Sequence, residues 1–216
     1  MFGYAIPFTH TGVLGEYKLS DEWQIDAGIT RGWNQTMRDN NGSPDILAGV
    51  TYTPQGSDEM KKWKFILNLS EGPQATKDNS DWWTVLDFQA IYTVDPKLSL
   101  VANIDYGDAP HATAGGTAQW YGVAGYAAYI LNDYVTTNVR AEWYGDTKSF
   151  TLGPGGQANL YELTVNAQIK PFPTHSIGQF FVVRPELRLD YAEHAFFNGG
   201  TKNSQFTFGI DAYFMF

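Results

Sequence analysis

The chain has 216 residues, of which 43% are hydrophobic, 16% aromatic and 17% charged, and its formal net charge is -9. An acidic chain without a basic run lacks the attraction to phosphate backbones on which nucleic-acid binding depends. The absence of cysteine excludes disulfides, thiolate metal sites and cysteine nucleophiles. No apolar stretch reaches the roughly 18 residues that a membrane helix needs, which excludes a helical membrane protein. Membrane strands are not excluded, because their alternating residues average to a soluble-looking hydropathy.

Alternation with a period of two residues is the main local signal. Every second residue from Tyr161 to Ile169 is apolar, and the residues between them are polar. A period of two is typical of a strand whose two faces meet different environments. The pattern predicts roughly eleven strands, each near the length that crosses a bilayer at a tilt. In chain order they are Thr11–Leu19, Trp23–Trp33, Asp45–Thr53, Lys62–Glu71, Trp82–Val94, Lys97–Gly107, Ala118–Leu131, Tyr134–Gly145, Ala158–Lys170, Phe180–Tyr191 and Ser204–Phe216.

The connections between these strands alternate in length, which predicts an antiparallel meander with long loops at one end. Tight turns of the Asp, Asn, Pro and Ser kind are predicted at Ser20–Glu22, Asp95–Pro96 and Asn132–Asp133. The long connections are Asn34–Pro44, Gly72–Asp81, Asp108–Thr117, Asp146–Gln157 and Ala192–Asn203. Two connections on the short side, Pro54–Lys61 and Pro171–Gln179, are longer than the pattern predicts.

Alternate positions of each strand point to the same face; we call the set that holds the polar residues the polar parity and the other set the apolar parity. The polar parity carries charges of both signs, which suits the lumen of a barrel. Arg184, Glu186, Arg188 and Asp190 share this parity on one strand. A water-filled pore and a closed barrel filled by a ladder of structural ion pairs both account for such rows. The predicted pore-lining residues are Lys64, Asp87, Asp105, Arg140, Glu142, Glu162, Arg184, Glu186, Arg188, Asp190 and Asp211.

The apolar parity carries Trp and Tyr near the strand ends, as in the aromatic girdles of a membrane barrel, where amphipathic rings lie at headgroup depth. The predicted girdle residues are Tyr17, Trp23, Tyr52, Trp63, Tyr92, Tyr106, Tyr161 and Tyr191. The last strand has an apolar file from Phe206 that ends in Phe214 and Phe216. This terminus resembles the assembly signal of bacterial outer-membrane barrels; the alternative is an apolar final strand in a soluble domain.

The predicted number of strands is odd, whereas single-chain bacterial barrels have an even number with both termini on the periplasmic side. We therefore expect one barrel domain over residues 1–216 that lacks upstream strands, in a full barrel of 12 or more strands. A miscount of one strand is the alternative. The first ten residues have no basic region and no small-residue cleavage site, so no signal peptide is predicted there.

Four stretches, in this order and spacing, resemble one family of bacterial proteins. They are Pro7–Leu14, Gly28–Trp33, Arg140–Asp146 and Arg184–Tyr191. Together they make the chain similar to the OmpL-like β-barrel porins of Gram-negative and related bacteria. The resemblance implies a pore in the outer membrane, and it does not imply a particular solute.

The sequence predicts neither catalysis nor a bound cofactor. His10, His111, His175 and His194 lie far apart, with no partner at metal-ligand spacing, so no metal site is expected. The sequence has no Gly-x-Ser-x-Gly nucleophile elbow and no phosphate-binding glycine loop.

Three functions remain open from the sequence. The first is a passive diffusion channel for small hydrophilic solutes or ions, set in outer-membrane lipid. The second is a plugged structural or surface-binding barrel, and the third is a soluble β-sandwich with a binding role. Gly122, Gly125, Ala127 and Ala128 suggest a smooth stretch of wall through which copies could associate into a homo-oligomer.

Overall fold

The protein folds as one antiparallel β-sheet in this computed structural model, which describes residues 2–113, 116–153 and 158–215. Within these residues the sheet has eleven strands, and each strand pairs with the next one in sequence. The strands are β1 (Gly12–Lys18), β2 (Trp23–Thr30), β3 (Asp45–Tyr52), β4 (Trp63–Pro73), β5 (Trp82–Thr93), β6 (Leu98–Thr113), β7 (Gly116–Asn132), β8 (Val135–Asp146), β9 (Ala158–Ile169), β10 (Phe181–Ala192) and β11 (Ser204–Phe214).

This order confirms the predicted up-and-down meander and its strands. Across the described ranges β1 and β11 do not pair with each other, so the sheet is not closed. The helical elements are single turns at Phe2–Tyr4, Met60–Lys62, Gly178–Phe180 and Phe197–Gly200. No helix in the described part of the chain is long and apolar enough to cross a membrane.

The tight turns lie where the sequence predicts them and are stabilised by their own side chains. The carboxylate of Asp95 accepts hydrogen bonds from the backbone N–H groups of Lys97 and Leu98, at 2.7 and 3.0 Å. The side-chain oxygen of Asn132 accepts from two backbone N–H groups in the same way. A short polar side chain that satisfies the turn backbone makes these residues turn formers. We call this end of the sheet the short-turn end and the opposite end the long-loop end.

Two details of the predicted strands are wrong. The connection predicted at Asp108–Thr117 belongs largely to strands, because β6 and β7 stay paired as far as Thr113 and Gly116. The strand predicted to reach Trp33 ends at Thr30 instead. Gly32 and Asn34 have positive φ angles of 111° and 55°, a conformation that ends a strand.

The two faces of the sheet differ in the way expected for a barrel wall. One face presents exposed apolar side chains, such as Phe206 and Ile210, each 65% exposed. The other face is polar and yet largely buried, since Asp105 is 1% exposed and Glu142 is 5% exposed. A sheet that curls around its polar face buries that face more than its apolar one. We call the polar side the inner face and the apolar side the outer face; a soluble sandwich, which would bury its apolar parity, does not describe this sheet.

The small residues that suggested a smooth wall do not share a face, so that prediction is wrong. Gly122 is opposite Asp105 and Ala128 is opposite Ser99, which places both on the inner face. Gly125 and Ala127 are on the outer face, opposite Ala102 and Leu100. Adjacent strand positions point to opposite faces, so a run that mixes both parities cannot form one surface. Self-association stays a prediction.

Candidate channel lining

The eleven residues predicted to line the pore lie on one face of the sheet. The pairing register places Asp87 opposite Asp105, Glu142 opposite Glu162, and Arg184 opposite Asp211. Lys64, Arg140, Glu186, Arg188 and Asp190 have the same parity on their strands and share the inner face. The structure therefore brings the set together as a surface, and their role in lining a pore stays a prediction.

The most buried ion pair of this surface is centred on Arg140 in β8. Its Nε atom lies 2.7 Å from Oε2 of Glu162 and 3.6 Å from Oε2 of Glu142. Its Nη2 atom donates to Oγ1 of Thr164 at 3.4 Å. The side chains of the two glutamates are almost fully buried, whereas that of Arg140 is 28% exposed. One guanidinium thus compensates two buried carboxylates and remains partly open to the lumen.

Two further arginines on β10 continue the charged rows, with Arg188 at the level of Arg140 and Arg184 nearer the short-turn end. Arg188 donates to both carboxylate oxygens of Asp190, with distances between 2.7 and 3.0 Å. Arg184 binds Asp211 of β11 through two N–H groups, at 3.2 and 2.6 Å, and lies over the ring of Tyr213. Bidentate pairs of this kind fix the guanidinium plane. The arginines are therefore held along the wall.

A carboxylate held by amides occupies the opposite part of the inner face. Asp87 of β5 accepts hydrogen bonds from Asn68 at 2.8 Å, Gln89 at 3.0 Å and Asn103 at 2.6 Å. These donors come from three adjacent strands, β4, β5 and β6. Neutral amides orient the charge without cancelling it. This part of the wall therefore keeps a negative potential, and the carboxyl group of Asp105 lies beside it in register.

An aromatic cluster, which the local periodicity does not predict, fills the inner face at the long-loop end. It consists of Trp33, Trp83, Trp120 and Phe150, with ring centroids between 4.8 and 6.5 Å apart. Trp120 is fully buried, and its indole lies against the backbone of Gly107, where an added Cβ would overlap the ring. Parity could have identified Trp120 as inward-facing, because it alternates with the outward Tyr121.

Residues 2–11 lie against this cluster and cover part of the inner face. The indole Nε1 of Trp120 donates to the carbonyl oxygen of Ala5 at 2.9 Å. The side-chain oxygen of Asn34 accepts from the backbone N–H groups of Phe8 and Thr9, at 2.6 and 3.1 Å. A cavity of about 270 Å³ remains beneath the segment, and its lining includes His10, Asp26, Asn68 and Asp87. We call residues 2–11 the inner segment.

The predicted girdle residues lie on the outer face in two groups. Tyr17, Trp23, Tyr52, Trp63 and Tyr92 belong to the short-turn end, where the Trp23 and Tyr52 rings stack at 4.4 Å. Tyr106, Tyr161 and Tyr191 belong to the long-loop end. Six residues separate the level of Tyr106 from that of Tyr92, a distance of about 20 Å along a strand. Two aromatic rows at this spacing suit the two interfaces of a bilayer.

The predicted assembly signal is described only in part. Phe214 is opposite Phe181 of β10 on the outer face, with ring centroids 5.1 Å apart. Phe216 lies outside the described residues. The file of Phe206, Phe208 and Ile210 that precedes it is exposed on the same face.

The comparisons with known proteins agree with this geometry. The family described as "Putative beta-barrel porin-2, OmpL-like" matches residues 1–216. No curated protein matches the chain. Among solved structures, the outer membrane channel DcaP of Acinetobacter baumannii is 12% identical with a TM-score of 0.66, over 94% of this chain and 61% of that one. The anion-selective porin from Comamonas acidovorans is also 12% identical with a TM-score of 0.66, over 97% and 63%.

The NanC porin is 13% identical with a TM-score of 0.53, over 96% of this chain and 93% of that one. At such low identities these structures show the shared fold, and this chain spans less than two thirds of the DcaP channel and of the Comamonas porin. The family match covers the whole chain, and the two-faced sheet is the wall that such a family requires. The chain therefore belongs to the OmpL-like porin-2 family, as a β-barrel chain of the bacterial outer membrane.

Proposed function

We propose that this chain forms the wall of a passive diffusion channel for small hydrophilic solutes or ions. The observation that carries the proposal is the contrast between the two faces of one sheet. Charged and amide side chains lie on the inner face of β4, β5, β6 and β8 to β11, while apolar side chains are exposed on the outer face. A wall of this kind is stable in lipid and keeps water on its inner side.

The narrowest part of the proposed channel lies at the long-loop end. There the inner segment and the aromatic cluster occupy the space that charged side chains line elsewhere. Ala5 and Trp120 are both fully buried, so the segment is packed into the lumen. A passage beside such a plug admits small solutes and ions, and it slows larger ones.

The inner face supports a preference for cations. Its described acidic residues outnumber its basic ones, and Asp87 is held by neutral amide donors. A wall with an excess of carboxylates raises the local concentration of cations. The acidic residues are Glu16, Asp26, Asp45, Asp87, Asp105, Glu142, Asp146, Glu162, Glu186, Asp190 and Asp211, and the basic ones are Lys18, Lys64, Arg140, Arg184 and Arg188.

The proposed function is transport without a chemical step. Several ionisable groups of the inner face are engaged with one another, as in the pairs of Arg140 with Glu162 and of Arg188 with Asp190. Such pairing is typical of a wall that orients water and solutes. A general acid or base, in contrast, must face a bound substrate within hydrogen-bond reach.

A plugged barrel with a structural role is the second candidate, and the aromatic cluster favours it. Trp120 and Tyr144 are fully buried, and Trp33, Trp83 and Phe150 pack against the same core. A cluster of this size could close the lumen. The two candidates differ in one measurable property, the ion conductance.

Single-channel recording tests the proposal. The full-length protein, refolded in detergent, is inserted into a planar bilayer under a KCl gradient. Steady ohmic steps with a reversal potential of the sign for K⁺ would support the cation-preferring channel. Steps with the opposite sign would reject the cation preference alone. A folded protein that inserts without conducting would reject the channel and support the plugged barrel.

A further inference from the structure

A pocket at the long-loop end opens on the outer face, and apart from Asp146 its described lining residues are separate from the inner-face set. It has a volume of about 390 Å³ and lies over Gly145, between Tyr121 and Thr147 on one side and Asn159 and Glu193 on the other. Gly145 is opposite Tyr121 and Asn159 in the pairing register. Tyr121 is beside Tyr106, which belongs to the aromatic row of the long-loop end. The pocket therefore opens at headgroup depth. We call it the Gly145 pocket.

The floor of the Gly145 pocket is a buried residue without a side chain, and its neighbours pack closely over it. A Cβ atom there would lie 3.0 Å from Oδ1 of Asn159 and 3.1 Å from Cζ2 of Trp143. Such contacts are tighter than ordinary van der Waals separation. Any larger residue would therefore fill the pocket or displace the side chains that border it.

One wall of the pocket is a chain of hydrogen bonds anchored on an aromatic ring. The indole Nε1 of Trp143 donates to Oδ1 of Asn159 at 3.1 Å, and Nδ2 of Asn159 donates to Oε2 of Glu193 at 2.9 Å. The backbone N–H of Glu193 also binds the carbonyl oxygen of Asn159. These bonds orient the Trp143 ring and the exposed Glu193 carboxylate before any ligand arrives.

The opposite wall is held in a similar way. The hydroxyl of Tyr121 donates to Oε1 of Gln119 at 3.1 Å. Oγ1 of Thr147 donates to the carbonyl oxygen of Gln119 at 2.9 Å and accepts from its backbone N–H at 3.1 Å. The pocket is therefore a formed site with two aromatic side chains and several hydroxyl, amide and carboxylate groups.

The acidic residues that line the pocket determine which class of ligand it can bind. Of the described residues that line it, Asp146 and Glu193 are acidic and none is basic. The carboxylate of Asp146 accepts from the backbone N–H groups of Thr151 and Leu152, so Glu193 is the charge offered to a ligand. A phosphate would meet repulsion here. A neutral ring that carries hydroxyl groups suits the site, because its C–H face can pack on Trp143 while its hydroxyls donate to Glu193.

We propose that the Gly145 pocket binds a neutral sugar of a glycolipid headgroup in the outer leaflet of the membrane. The lipid source follows from position. The pocket opens on the lipid-facing side of the sheet, at the level of the aromatic row of the long-loop end, and the long loops of outer-membrane barrels are extracellular. A sugar anchored in the leaflet meets the pocket directly. A solute passing through the lumen is on the other face of the wall.

Native mass spectrometry of the full-length protein in detergent tests the proposal. The probes are monogalactosyl diacylglycerol and, as the comparison lipid, dioleoylphosphatidylglycerol. We expect the wild-type protein to retain the galactolipid in preference to the phospholipid. Glu193→Gln and Asn159→Ala should each weaken galactolipid binding roughly tenfold, the effect of losing an oriented hydrogen bond to a charged or amide group. Phospholipid retention should not change.

Two further variants make the test specific. Gly145→Ala presses a Cβ atom against Asn159 and Trp143 without removing a polar group, so it should also abolish the preference. Glu59→Gln is the matched control, because Glu59 is an exposed, hydrogen-bonded glutamate at the short-turn end. Equal retention of both lipids by the wild type, or galactolipid retention unchanged in all three pocket variants, would overturn the proposal. Methyl galactoside binding as tightly as the galactolipid would reassign the pocket to a soluble sugar and overturn the lipid source.

Discussion

The indole of Trp120 in β7 donates a hydrogen bond to the carbonyl oxygen of Ala5, which is 115 residues away in sequence. This bond attaches the inner segment to the centre of the aromatic cluster. Both residues are fully buried. The position of the segment across the lumen therefore depends on a polar contact inside an apolar environment, where a hydrogen bond is costly to lose.

Replacing this indole tests whether the inner segment limits the conductance. Trp120→Phe keeps an aromatic ring and removes the donor, so the Ala5 carbonyl loses its partner at a cost of about 1 to 3 kcal/mol. We expect a larger or noisier single-channel conductance. Trp82→Phe is the control, because the exposed Trp82 indole donates only to Asn79 in its own loop. Identical current traces for both variants would mean that the segment does not gate the passage.

Asn34 provides an independent test of the same segment. Asn34→Ala removes the acceptor for the Phe8 and Thr9 backbone N–H groups, and it places alanine at a positive φ of 55°, which is unfavourable. We expect faster proteolysis within residues 2–11 of the folded protein. Asn34→Asp retains the acceptor and tolerates the left-handed conformation, so its cleavage rate should stay near that of the wild type. Equal rates for the two variants would contradict the anchoring role.

We expect the ion pair of Arg140 to contribute both to the folding stability of the protein and to the ion selectivity of the channel. Arg140→Gln leaves the buried Glu142 and Glu162 without their guanidinium, and we expect about 2 kcal/mol of destabilisation, less than for a deeply buried pair because Arg140 is partly exposed. The reversal potential in a KCl gradient should shift further towards K⁺. Arg184→Gln is the control, since both partners of its pair with Asp211 are substantially exposed. A destabilisation as large in Arg184→Gln would argue against burial as the cause.

Adjacent positions of β9 test the assignment of the two faces. Val165 is on the outer face, 45% exposed, and Asn166 is on the inner face within reach of Asn138 and Glu186. Val165→Arg should destabilise the protein in lipid vesicles by about 2 to 4 kcal/mol, the cost of arginine near the bilayer midplane. Asn166→Arg should cost much less, because it faces the lumen beside a carboxylate. Urea unfolding in vesicles measures both, and a reversed order would invert the faces.

The strands are predictable from sequence because lipid and lumen impose opposite preferences on neighbouring residues. That constraint is local, and it is visible in β9, where each of Tyr161, Leu163 and Val165 is followed by a polar residue. The same alternation predicts that the charged residues share one face. The short turns are predictable from equally local contacts, since Asp95 and Asn132 satisfy backbone groups two and three residues away.

The aromatic cluster and the inner segment are not predictable in this way, because they depend on contacts between distant parts of the chain. Trp33 continues an apolar pattern that predicts a strand, although it turns inward to pack on Trp83 and Trp120. The contact of Ala5 with Trp120 has no signature in local periodicity. The extension of β6 beyond Gly107 escapes prediction for a related reason, since burial of Ala109 and Ala118 in the cluster stabilises it.

The sequential pairing of the strands has a consequence for how such walls can change over evolutionary time. Each strand contacts mainly the strand before it and the strand after it. Duplication or loss of one hairpin therefore alters only the strand pairings at its two edges and leaves the other strand pairings unchanged. Pore diameter can increase or decrease in steps of two strands while the charged rows on the retained hairpins survive intact.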